Sequence, residues 1–467
     1  MDAVVMERMP TLPALARALE RGETTSRALV EACLERIADP GGQGQRVYLK
    51  LHAAVARQAA DAHDTLRRAG QVPHPLAGVP VSVKDLFDEA GHVTRAGARV
   101  LAAAPPAARD APAVARLRAA GLVVLGRTNM TEFAFSGVGL NPHHGTPLNP
   151  WDRATGRIPG GSSSGAAVSL SDGLAHAALG TDTGGSCRIP AALCGLVGFK
   201  PTARRVPTEG VFPLSYSLDS VGPLGRSVDC CAWLDAVLAG HPMAPPLPRV
   251  DAAGLRLAVP QTVVLDDLDA PVAAAFERAL ARLSAAGARL VDLPLPAFAE
   301  VLAVNAGGGL AAAESFAIHR ARLAEAGDAY DPRVRVRIER GAALGAADLV
   351  DVQRARRDIA ARVQVAQAPF DALVWPTTPM VAPALDDLRR DADYARLNML
   401  MLRNPSLVNF VDGCAVSVPC HDAGAAPVGL MLAAGPGADR RLLTVARAVE
   451  AVVAPRPDGP AGPEESP

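Results

Sequence analysis

Three times along this chain an amphipathic helical stretch stops at a glycine and gives way to a short apolar run. Val55–Ala69 ends at Gly70 and is followed by LAGVPVSVKDLFD (76–88). Leu117–Ala120 ends at Gly121 and is followed by LVVLGRTN. AAAFERALARLSAAGARLVDL repeats the pattern between 272 and 293. Val79, Val81 and Val83 alternate with small or polar residues, as a strand does, and Lys84 ends that strand. Leu122–Leu125 is continuously apolar, which suits a strand covered on both faces of a parallel sheet. FDALVWPTTP (370–379) reads as another buried strand ending in a turn, and GCAVSVPC (413–420) with APVGLMLAA (426–434) as a strand pair. Residues 11–38 read as two helices, the second with N-caps on offer at Thr24, Thr25 and Ser26, and ADRRLLTVARAVEAVV as a closing helix. Helices alternating with buried strands imply a layered α/β fold. With 467 residues, about half of them apolar, the chain is long enough for one large α/β core or for two to three average domains.

The balance of charge narrows the partners. Net charge is −1, so there is no bulk electrostatic case for nucleic acid or a membrane surface. Seven cysteines at irregular spacing argue against a disulfide framework, match no zinc-binding pattern and fit a reducing compartment. The start, MDAVVMERMPTLPALARAL, lacks the order of a signal peptide, and no purely apolar stretch reaches the roughly 18 residues a membrane span needs. The expectation is a soluble, cytoplasmic protein without metal or cofactor. The Pro-rich stretch 236–254 is expected to connect two halves, and the tail from 454, ending PRPDGPAGPEESP, to be disordered.

Chemistry concentrates in 159–200, where two Gly-rich turns, each carrying serine, flank a helical stretch at about Ala166–Ala178. Such turns permit positive φ and expose consecutive N–H groups able to hold an anion. In TDTGGS the amides of Thr183, Gly184, Gly185 and Ser186 can share one concavity, as an oxyanion hole requires, with a serine at its end. The same turns read equally as plain loops or as a phosphate cradle, although neither matches a nucleotide-binding pattern. None of the ten histidines stands out as a base: 52 and 63 fall on a polar helix, 143 and 144 in the turn NPHHGTP, and each reads as a surface or loop residue. Lysine is scarce, at 50, 84 and 200 only. Lys84 closes an apolar strand, where burial favours a neutral amine, though a surface ion pair is the simpler reading of its position alone.

GVPVSVKD (78–85), GGSSSG (160–165) and GTDTGGSCRIPAALCGLVGFKPT (180–202) together resemble the amidase signature family, as do TNMTEFAFSGVGLNPHHGTPLNPWD (128–152), WPTTP (375–379) and GCAVSVPC. The resemblance implies one domain over 1–453, helical to about residue 70, built on a large twisted mixed sheet with helices on both faces. It assigns Ser186 as nucleophile, Ser162 as a bridging serine after a cis Gly161–Ser162 bond, and Lys84 as base. Thr183, Gly184 and Gly185, with Ser186, become the oxyanion hole; Ser163, Asp182 and Arg188 become supporting residues, the last two as an ion pair holding the turn. Ser164 and Cys187 depart from the usual glycine and aliphatic residue; Cys187 reads as packing rather than as a nucleophile.

The implied activity is hydrolysis of a small-molecule carboxamide through a Ser186 acyl-enzyme. The alternative is the glutaminase (A-type) subunit of a tRNA-dependent amidotransferase, although YDPRVRVRIERGAALG (330–345) resembles free-standing amidases more. A serine hydrolase using Ser163 in G-x-S-x-G with His421 lacks a strand before the turn, and a binding module would need a broken triad. A homodimer is common in the family. The pocket is expected from 133–137, 214–216 and 305–340; Phe135, Phe212 and Tyr216 suggest an apolar or aromatic acyl group. Arg333, Arg335 and Arg337 read as a solvated face, or else as partners of a substrate carboxylate.

Overall fold

The computed structural model describes residues 9–243 and 245–455. Eleven strands form one sheet: β1 (Tyr48–Leu51), β2 (Pro80–Lys84), β3 (Val123–Thr128), β4 (Ala177–Thr181), β5 (Val197–Lys200), β6 (Val221–Gly225), β7 (Arg256–Pro260), β8 (Arg289–Leu293), β9 (Ala372–Pro376), β10 (Cys414–Pro419) and β11 (Gly429–Ala434). Their order is β1-β3-β2-β4-β6-β5-β10-β11-β9-β7-β8. The sheet is mixed. β2 runs parallel to β3 and β4, and β7 parallel to β8 and β9. The remaining neighbours, from β4–β6 through β5–β10 to β11–β9, are antiparallel.

The helix–glycine–strand pattern explains the two parallel patches, because a parallel pair needs a crossover and a helix supplies it. Side chains alternate across a strand, so each strand feeds two cores. Val124 of β3 and Ala177 and Leu179 of β4 join one cluster, whereas Val123, Leu125 and Ala178 join another on the opposite face. β10 divides the same way, Val416 and Val418 against Ala415. Helices therefore cover both faces, and the central strands β2–β6 and β9–β10 are buried throughout.

Two local readings change. The segment expected as one helix over 166–178 is a helix at Ser164–Ser171 followed by β4. Gly173, at φ +69°, ends the helix, and AALGT is an apolar run that periodicity cannot assign. The helix Val228–Leu238 takes the first residues of the Pro-rich stretch. The prolines beyond it are pinned to the closing helix, where Arg440 donates to the Pro245 and Pro246 carbonyls at 2.8 Å. The apolar stretch Ala297–Ala329 is long enough to cross a membrane by composition, but it is broken into Ala297–Val304 and Gly309–Ala326, and the second helix carries Glu314, Arg320 and Arg322. The expected disorder of the tail concerns residues almost wholly outside those described.

Candidate active site

Lys84 is the last residue of β2 and Thr181 the last of the adjacent parallel strand β4, so both emerge at the same, C-terminal end of the sheet. Ligands of α/β sheets collect at that end. Lys84 is fully buried, and its Nζ lies 2.8 Å from Ser162 Oγ and 2.8 Å from Thr181 Oγ1. Burial pulls its pKa down to about 8, against the partial opposition of Asp182 and Asp219. Ser162 follows a cis peptide bond from Gly161. The Gly161 N–H donates to the Gly137 carbonyl at 2.8 Å and the Thr131 N–H to the Ser162 carbonyl at 3.1 Å, which fix the turn before the helix Ser164–Ser171 starts.

The second serine turn is organised by a buried ion pair. Arg188 Nη2 and Nε approach Asp182 Oδ1 and Oδ2 at 2.8 and 3.0 Å, and neither side chain is exposed. Asn409 accepts from Arg188 at 2.7 Å and donates to the Asp182 carboxylate and carbonyl at 3.0 Å. The guanidinium holds Asp182 well below the usual carboxylate range, despite burial. Asp182 also accepts the Gly185 and Cys187 amides at 2.8 and 3.1 Å. Removing either charge strands the other in the core, at a cost of about 3–5 kcal/mol. The Ser163 N–H donates to the Ser186 carbonyl at 3.3 Å and so joins the two serine turns.

Gly185 is thereby corrected. Its amide is committed to Asp182 and is not spare for an anion. What it supplies is shape: φ is +127°, and a Cβ there meets Ile189 and Pro405 at 2.7 Å. The N–H groups of Thr183, Gly184 and Ser186 and the Ser186 hydroxyl donate to nothing among the described residues, and these three residues line a cavity of about 510 Å³. Its walls come from Ala134–Ser136, Leu214, Leu218, the helices Ala297–Val304 and Gly309–Ala326, and Arg337, Arg340 and Met399.

The amidase family profile matches residues 28–443. The chain belongs to the amidase family. It is 40% identical over 441 residues, 94% of this chain and 95% of the relative, to 2-amino-5-chloromuconic acid deaminase of Comamonas testosteroni. It is 37% identical over 478 residues, 93% and 94% of the two chains, to the A-type subunit of the glutamyl-tRNA(Gln) amidotransferase of Anaeromyxobacter dehalogenans (strain 2CP-C). The crystal structure of an amidase superposes with a TM-score of 0.86 at 35% identity, covering 95% of this chain and all of that one. The fold is that of the amidase signature enzymes.

In this amidase Phe135 lines the cavity as expected, and two of its proposed companions do not. Phe212 is drawn into an aromatic cluster, 5.2 Å from Phe133 and 5.6 Å from His319. Tyr216 points outward, 72% exposed, because Ser215 and Ser217 on either side are both held by Glu314. Leu214 and Leu218 take their place. Arg337 is half-buried on the cavity wall, not on a solvated face.

Not all the histidines are surface or loop residues. His74, His176 and His319 are buried in the fold, and burial pushes His319 down to about 4. Among the described residues no histidine lines the cavity. Ser163 Oγ donates to the Thr181 carbonyl, and His421 packs beside Gly195, so the Ser163–His421 pairing does not form. All seven cysteines are free and buried; the Cys187 thiol is pushed far up by burial and donates to the Gly222 carbonyl.

Sequence reasoning missed Thr181, Asn409 and Asp219. Asp219 accepts from Thr183 Oγ1 at 2.6 Å and from the Leu214 amide at 3.0 Å, and burial raises its pKa to about 6. None of the three carried a local signal of its own; long-range pairing brings each of them to the site.

Proposed function

We propose that Ser186 is the nucleophile of a carboxamide hydrolase, with Lys84 as base acting through Ser162. The observation that carries this is the buried, down-shifted Lys84 with Nζ 2.8 Å from Ser162 Oγ. In the neutral amine the Ser162 hydroxyl donates to Nζ, while Thr181 accepts from it and fixes its direction. Ser162 then takes the proton of Ser186 as Ser186 Oγ attacks the carbonyl. The Ser186 hydroxyl makes no hydrogen bond to Ser162 among the described residues; the relay requires one to form with substrate in place, when catalytic hydrogen bonds commonly tighten. The unoccupied amides of Thr183, Gly184 and Ser186 receive the oxyanion, each worth about 3–4 kcal/mol in comparable sites. The relay returns the proton to the leaving amine, which an amide requires because an amine anion leaves poorly. Water then cleaves the acyl-enzyme by the same path in reverse.

The Comamonas testosteroni relative is a deaminase of 2-amino-5-chloromuconic acid, a small acid, and this supports a small-molecule substrate. The amidotransferase A-type relative, which speaks for the glutaminase alternative, has the lower identity, 37% against 40%. Ammonia release from a panel of aliphatic amides, aryl amides, ureas and glutamine tests the reading. Ser186→Ala is expected to abolish turnover with the circular dichroism unchanged, and Lys84→Ala and Ser162→Ala to lose about 10²–10⁴-fold in acylation. Near-full activity of Lys84→Ala at neutral pH contradicts the relay.

A further inference from the structure

The helix Pro332–Glu339 carries three arginines at alternate positions, and they are not equivalent. Arg333 pairs with Asp391 at 2.8 Å, and Arg335 with Asp328 and Glu339 at 2.8 and 2.7 Å. Arg337 pairs with no carboxylate among the described residues. Its guanidinium lies 4.6 Å over the Phe135 ring, its Nη1 meets only Met399 Sδ at 3.9 Å, and its Nε is buried with no hydrogen-bond partner among those residues. Arg340, nearly one turn on, makes no ion pair with them either, and both line the cavity that holds Ser186. A third arginine there, Arg403, is already occupied by Asp267 at 3.6 Å and the Asp266 carbonyl. Among the described residues Asp267 is the only carboxylate on the lining, and it is itself 82% exposed.

A half-buried guanidinium with an orphaned donor is costly unless something completes it. Two uncompensated cations on one wall attract an anion, and a carboxylate matches the planar fork of arginine. Burial and Arg340 lower the Arg337 pKa only to about 10, so it is charged at neutral pH. The Phe135 face fixes the plane of the guanidinium and leaves its edge for the ligand.

We infer that the substrate is an amide that also bears a carboxylate, such as a monoamide of a dicarboxylic acid, with the carboxylate on Arg337 and the carboxamide at Ser186. This deepens the amidase reading and rests on it. An α-ammonium group, as in glutamine, meets the same cationic wall, where the described lining offers only the exposed Asp267 to offset it, so plain half-amides are preferred over glutamine.

Binding and turnover separate the two claims. Calorimetry on Ser186→Ala compares malonamate, succinamate, glutaramate and adipamate with neutral amides of the same chain length. The best half-amide is expected to bind at least about 10-fold tighter than its neutral counterpart. Arg337→Met in the same background is expected to cut that acid-to-neutral preference by about 10- to 100-fold, as for loss of a charge-assisted hydrogen bond, with Arg337→Lys restoring part of it. The same ratio is expected in kcat/KM with Ser186 intact. Equal binding of acid and neutral amides, or a preference unmoved by Arg337→Met, overturns the inference even if amides are hydrolysed. A preference that depends on Arg337 without turnover of any amide upholds the carboxylate site and fails the amidase chemistry.

Discussion

The proposed role of Lys84 as base predicts the pH behaviour of the reaction. The lysine must be neutral to accept a proton, and burial brings its pKa to about 8. Below about 8 the ammonium therefore dominates, and kcat/KM falls about tenfold per pH unit until another group intervenes; above it the rate levels. A pH–rate profile that is flat from about 6 to 8 would remove Lys84 from the role of base. Its rarity and its place at the end of an apolar strand drew notice to this residue, but by position alone it read as a surface ion pair, and only the family resemblance marked it as the base. Its anchor Thr181 was not legible, because a threonine at a strand end is an ordinary β-former and only the parallel register of β2 with β4 brings it to Nζ. The Asp182–Arg188 pair was legible as a motif, whereas its saturation by Asn409 depends on a helix 221 residues further on.

At the scale of elements, the loop after Phe212 shows how pockets escape sequence reading. Aromatic residues look like pocket walls, but Phe212 has ring partners in the core and Tyr216 sits at a tip held from below. Leu214 and Leu218 face the cavity because Asp219 ties the loop to Thr183 of the nucleophile turn. Asp219 is thus a positioning residue. Asp219→Asn is expected to lower kcat by about 10- to 100-fold through the lost charge-assisted bond to Thr183. It also removes an anion that raises the Lys84 pKa, so the alkaline-rising limb of the profile moves to lower pH. A drop in activity with that limb unmoved reduces Asp219 to a purely structural part. The helix at 164–171 was misjudged for a related reason. It is buried on every side, so it shows no polar face to mark its period or its end.

For the whole molecule, the α/β class and the two halves were readable from the alternation of elements and the Pro-rich connection. That one large mixed sheet runs through both halves followed from the family resemblance and not from any local pattern. The β5–β10 pairing joins residues more than two hundred positions apart, and no local pattern selects a partner at that distance. The seam is buried and antiparallel, and Arg188 crosses it to reach Met431 and the Pro405 carbonyl. The halves are therefore expected to unfold together. Trp233 reports on the first half and the buried Trp375 on the second; their fluorescence transitions should coincide with a single calorimetric peak, and two resolved transitions would show that the halves are independent.

Of the three lysines, Lys84 and Lys200 lie inside the fold, and only Lys50 stands in solvent, on the edge strand β1 and away from the cavity lining. Apart from the α-amino group, amine-directed reagents therefore find one surface handle on a chain of 467 residues. Coupling to a support or a dye through Lys50 yields a near-uniform population tethered at one edge of the sheet, with the buried Lys84 shielded from modification and no residue of the cavity lining touched.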